Sequence, residues 1–111
     1  MKIRQGFVTN SSSSSFVVAI RQQECTKDDI LAILLEEKDN LNLDCIDITS
    51  DDKARVLLKR VAKQLFDMAN TPIGNVMIGG GRCSNEDGEE GFVLYNLSSI
   101  NTPNFVFTPG D

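Results

Sequence analysis

Two stretches of this chain hold residues whose types and spacing bear on chemistry. The first is Gly79-Gly80-Gly81-Arg82-Cys83-Ser84-Asn85-Glu86-Asp87-Gly88-Glu89-Glu90-Gly91. Three glycines beside an arginine offer backbone amides and a cation to a phosphate. No Walker lysine follows, however, and no helix is predicted after the glycines, as a P-loop or dinucleotide-binding turn requires. Asn85, Asp87 and Gly88 fit positions 3, 5 and 6 of a calcium loop, but Cys83 and Leu94 then stand at positions 1 and 12, and the motif fails. What remains is weak divalent-cation binding by Asp87, Glu89 and Glu90, set against a solvated hairpin loop, which is the favoured account.

The second stretch is basic. Arg55, Lys59 and Lys63 recur at i, i+4 and i+8, with Lys53 and Arg60 nearby, and five of the eleven basic residues fall within 53–63. On a helix such a ridge meets nucleic-acid phosphate or an acidic protein surface. It also meets its own carboxylates: Asp51–Arg55 and Lys63–Asp67 are predicted pairs. The candidate binding surface is Arg55, Lys59, Arg60 and Lys63, with Arg82 contributed by the glycine-rich stretch.

Several chemistries are excluded outright. Histidine is absent, which removes Ser-His-Asp and Cys-His catalysis and the commonest zinc ligand. The three cysteines, Cys25, Cys45 and Cys83, are odd in number and form no CxxC. They are expected to be free thiols in a reducing cytoplasm. Cys45 reads as a small buried hydrophobe, and Cys25 and Cys83 as exposed in polar surroundings. No cofactor is expected. Met1-Lys2-Ile3-Arg4 leads into Gln, Gly and serines rather than an apolar segment, so no signal peptide is expected. No apolar run approaches the ~20 residues of a membrane helix. The net charge of −5 disfavours general binding to nucleic acid or an anionic membrane.

These residues need a scaffold, and 111 residues with 41% hydrophobic and 24% charged content suit one globular domain. Phe16-Val17-Val18-Ala19-Ile20 is a short β-branched run, apolar on both faces, predicted as a central strand. Thr26 followed by Asp28 and Asp29 opens a helix over about 27–38. Residues 43–48 suit a short strand, an extended connector or a link between adjacent helices. Ser50 caps a long helix over about 51–69, with Ala54, Leu57, Leu58, Val61, Leu65 and Met68 as its core stripe and Pro72 beyond its end. Strands are predicted at 76–78, 92–97 and 104–108, the first two forming a hairpin around the glycine–acid loop. The sum is an α+β fold, a mostly antiparallel sheet of four to five strands with two helices packed on one face. Residues 1–15 form a serine-rich leader and residues 16–111 the domain.

The leader carries Ser11, Ser12, Ser13, Ser14 and Ser15, whose hydroxyls are candidate modification sites. With no histidine to activate them, none of them is expected to be a catalytic serine. Met1-Lys2-Ile3-Arg4-Gln5-Gly6-Phe7-Val8-Thr9-Asn10, the five serines and Phe16-Val17-Val18 together resemble a leader found on uncharacterised phage-encoded and bacterial proteins, roughly M-K-[IV]-R-x-G-F-[VI]-[ST]-N-S-S-S-S-S-F-[VI]-[VI]. The resemblance spans the first 18 residues and implies a viral or mobile-element origin and a leader that is recognised by something.

The expectation is a small, soluble, phage-type accessory protein of the cytoplasm, of the host cell if it is viral. It would act by binding a macromolecule, protein above all, rather than as an enzyme. The alternatives are a nucleic-acid-binding module on the basic helix face and a divalent-metal enzyme on the acidic loop. Self-association is left open, and no membrane partner is expected.

Overall fold

The computed structural model describes residues 13–84 and 88–110. In chain order they form β1 (Ser13–Ile20), α1 (Lys27–Glu36), α2 (Asp51–Met68), β2 (Thr71–Ile73), β3 (Val76–Ser84), α3 (Gly88–Asn96), β4 (Ile100–Asn101) and β5 (Phe105–Pro109). The strands make one antiparallel sheet in the order β2-β3-β1-β5-β4. This is the expected α+β fold, with three helices where the sequence suggested two.

The sheet is organised around β1. It pairs with β3 from Ser13↔Ser84 to Ile20↔Met77 and with β5 from Phe16↔Pro109 to Ile20↔Phe105. Phe16, Val18 and Ile20 point into the core beside Phe105 and Phe107, all buried. The Phe16 and Phe107 rings stack 5.4 Å apart. The strand starts at Ser13, so the expected leader–domain boundary after residue 15 falls inside it. Backbone pairing to β3 holds these serines despite their modest strand preference. Ser14 is buried, and its hydroxyl donates to the Gly110 carbonyl at 2.9 Å.

Both long helices begin as their sequences suggest. The Thr26 hydroxyl accepts from the Asp29 amide, and the Asp29 carboxylate accepts from the Thr26 amide, closing a capping box. Ser50 accepts from the Lys53 amide at 3.2 Å. α2 buries Ala54, Leu57, Leu58, Val61, Ala62 and Leu65. At its far end the Gln22 side chain donates to the Phe66 and Ala69 carbonyls, at 3.3 and 2.9 Å. α1 runs antiparallel to α2: Lys38 bonds Asp51 at one end, and the Lys27 ammonium lies 5.5 Å from the Phe66 ring centre at the other.

Two segments depart from expectation, and residues 43–48 take one of their open readings, a link between adjacent helices. Residues 43–46 form a 3-10 turn, bracketed by Asn42 and Asp47 with φ of 55° and 63°. Asn and Asp tolerate that left-handed conformation, which curls the segment back instead of extending it. The strand at 76–78 does not stop at the glycines but runs on through Ser84. A side chain at Gly79 would run into the Met68 carbonyl, so the glycines let the sheet pass under the end of α2. The predicted strand at 92–97 is instead α3, which buries Gly91, Val93 and Leu94, with Leu97 just beyond its end. There is therefore no hairpin between residues 76–78 and 92–97. The hairpin lies one strand earlier, joining β2 to β3 across Gly74-Asn75, with Gly74 at φ 64°.

The cysteine environments are reversed: Cys25 and Cys83 are buried, and Cys45 is exposed. Cys83 takes an inward position on β3 and donates to the Ser14 carbonyl at 3.5 Å. Burial, and secondarily Asp29, push the Cys25 thiol pKa up. The inward residue of the 3-10 turn is Leu43, which leaves Cys45 outside.

Candidate functional site

The outer surface of α2 gathers most of the candidate residues. One turn of helix returns every 3.6 residues, so Val56, Lys59, Arg60 and Lys63 form a single stripe. All four are exposed. Val56 keeps 56% of its surface exposed, while the helix's other large aliphatic residues are buried. On one flank of the stripe, Lys27 and Asp28 of α1 complete a groove of about 600 Å³ with Val56, Lys59, Arg60 and Lys63. On the other, Ile46, Ile48, Asp52, Lys53 and Glu89 line a second groove of about 570 Å³, which shares Val56 and Arg60.

The stripe's charges are partly used up. Arg60 bonds Glu89 through Nη2 at 3.0 Å and Glu90 through Nε at 3.1 Å. Lys63 bonds Asp67 at 3.0 Å, the i,i+4 pair expected, and that hydrogen bond holds the Asp67 carboxyl below its usual range. The other expected pair does not form. Asp51 bonds Lys38 at 2.6 Å rather than Arg55, which lowers the Asp51 pKa and raises that of Lys38. Among the described residues, Lys53, Arg55 and Lys59 have no ion-pair partner.

Arg82 is not brought to this surface. It is exposed on β3, beside Ser15, in alternation with buried Cys83. That places it on the sheet face turned away from the helices. Glu89 and Glu90 do reach α2, but as partners of Arg60 rather than as an open metal site. Asp87 lies outside the described residues, as do Ser11 and Ser12. Among the described residues, no group of three or more metal-ligating side chains gathers. Ser13, Ser14 and Ser15 are strand residues, and the buried Ser14 hydroxyl is held by Gly110.

Two members of the site escaped the sequence reading. Val56 was findable, because it is the aliphatic residue of α2 that falls off the core stripe. Lys27 was not, because only the antiparallel packing of α1 carries it there. The described helices include none long and apolar enough to cross a membrane. No family model, curated protein or solved structure matches the chain.

Proposed function

We propose that this protein is a non-enzymatic accessory protein that binds another protein through the outer face of α2. The observation that carries the proposal is Val56, an exposed aliphatic side chain set between two grooves, one of them lined mostly by Lys27, Lys59, Arg60 and Lys63 and the other of mixed charge. An acidic-hydrophobic segment of a partner suits that surface. Its apolar residue would cover Val56 and the aliphatic stems of Lys59 and Lys63. Its carboxylates would meet Lys59 and Lys27 at the rim, where complementary charge sets partner choice and encounter rate. The charge pattern favours protein over nucleic acid. Arg60 and Lys63 are already bonded to carboxylates, and a polyanion would have to displace Glu89, Glu90 and Asp67. The resemblance of the leader supports an origin in a phage or other mobile element, and with it a role in the host cytoplasm.

The test is a photo-crosslinking residue at position 56, introduced in the cells that make the protein. One discrete protein adduct is expected, and Lys59→Glu should abolish it while leaving the circular dichroism spectrum unchanged. The absence of an adduct, or one that persists in Lys59→Glu, would count against this surface. In parallel, titration with duplex and single-stranded DNA and with RNA should give no binding at physiological salt. Salt-sensitive binding lost on neutralising Arg55, Lys59, Arg60 and Lys63 would instead assign the face to nucleic acid.

A further inference from the structure

The sheet has a second face, and none of the described helices covers it. The pairing register puts Val17, Ala19, Val76, Ile78 and Val106 on that side, with Ile73 at the β2 edge. Val17 is 52% exposed and Ile73 60% exposed. The shortest dimension of the molecule is 19 Å, the depth of one sheet and one helical layer. An antiparallel sheet with one solvated face ordinarily alternates apolar residues inward with polar residues outward. Here the outward positions at the centre of the sheet are aliphatic instead.

We infer that this face is where a second copy of the chain packs, sheet against sheet, to give a four-layer helix–sheet–sheet–helix dimer. Charge supports a second copy as the occupant. Among the described residues no acidic residue falls in a strand, and the only charged strand residue is Arg82, towards the end of this face that holds Ser15. Two copies of a chain with net charge −5 repel through most of their surfaces. Face-to-face packing of the sheets opposes no carboxylates of the described strands and leaves the charged helices on the outside. Area supports it too. The 27 strand residues, each ~3.3 Å along the strand and ~4.8 Å across it, offer roughly 430 Å² of projected area per copy. The total, about 860 Å² before the relief of the side chains is counted, approaches the lower bound for a specific interface. The contact uses neither α2 nor its grooves, so it is independent of partner binding there.

Sedimentation equilibrium across a concentration series tests the inference. The expected result is a mass approaching twice 12.2 kDa in the micromolar range. Val17→Lys should weaken the dimer roughly a hundred-fold, since like charges would then face each other across a dry contact. Thr108→Lys, exposed on the same face, should do likewise and guards against a folding defect at position 17. Lys59→Glu should leave the mass unchanged. A monomer at every concentration overturns the inference, as does a dimer that survives both lysine substitutions. A chain that dimerises only after residues 1–12 are removed also overturns it, because the face would then belong to the chain's own N-terminal segment.

Discussion

Gly79 is the residue on which sheet and helix meet most closely. A methyl group there would collide with the Met68 backbone carbonyl, which is held in place by α2 and cannot yield. Two residues along, the same methyl at Gly81 would lie 3.4 Å from Phe16 Cζ and 3.6 Å from Met68 Cε, both of them side-chain atoms able to shift. Gly79→Ala is therefore expected to destabilise the fold by about 3 kcal/mol, and Gly81→Ala by less than about 1 kcal/mol. Urea denaturation of the two variants would measure the contrast, and equal losses would contradict this account of the glycines. A glycine run inside a strand commonly marks a close backbone approach, so the signal was present in the sequence. Which backbone approaches was not, because Met68 and Gly79 meet only once α2 has packed.

At the scale of elements, α3 shows how context outweighs local preference. Phe92-Val93-Leu94-Tyr95 is β-branched and aromatic, and by itself it favours a strand. Yet Glu90, Val93, Leu94 and Leu97 also fall at i, i+3, i+4 and i+7; α3 turns Val93 and Leu94 into the core, and Leu97 follows just beyond its end. Glu89 and Glu90 in its first turn suit the positive helix end and bond Arg60 of α2. Exposed ion pairs of this kind each contribute under about 1 kcal/mol, so Arg60 positions α3 more than it stabilises the whole. Arg60→Ala should raise amide hydrogen exchange in 88–96 while β1 and α2 keep their protection. Uniform loss of protection would show that the ion pairs hold more than this one helix.

Over the whole molecule, the acidic balance and the paired carboxylates set the response to pH. The Asp51 and Asp67 pKa values are lowered by their hydrogen bonds to Lys38 and Lys63. A carboxyl whose pKa is lower in the folded state adds stability above its unfolded value of about 4. That contribution is lost as pH falls through the folded value. Lys38 is raised, so its contribution is complete below its unfolded value of about 10.4 and is lost as pH rises through the folded one. The two ion pairs thus act across the neutral range. Tm is expected to fall on acidification from roughly pH 5 to pH 2, and the double variant Asp51→Asn, Asp67→Asn should fall less steeply. High salt should shrink the difference, because these groups are exposed and screened. A variant with an unchanged acid limb would exclude both pairs as its source.

Local signals in the chain were enough to determine the central strand, the two long helices and their caps, and the α+β class. Thr26 and Ser50 cap within three residues, and the stripe from Ala54 to Leu65 repeats within one helix. The absence of histidine likewise settled, without any structure, that no Ser-His-Asp or Cys-His centre exists. Only tertiary packing decided that residues 79–81 stay in the sheet, that residues 88–96 coil, and that Arg82 lies across the molecule from Arg55, Lys59, Arg60 and Lys63. Each of those outcomes depends on a neighbour distant in sequence: Met68 over Gly79, Arg60 beside Glu89 and Glu90, and Ser15 paired with Arg82. The binding surface divides the same way. Val56 stands out from the helix's own periodicity, whereas Lys27 and the uncovered sheet face exist only once the layers have assembled.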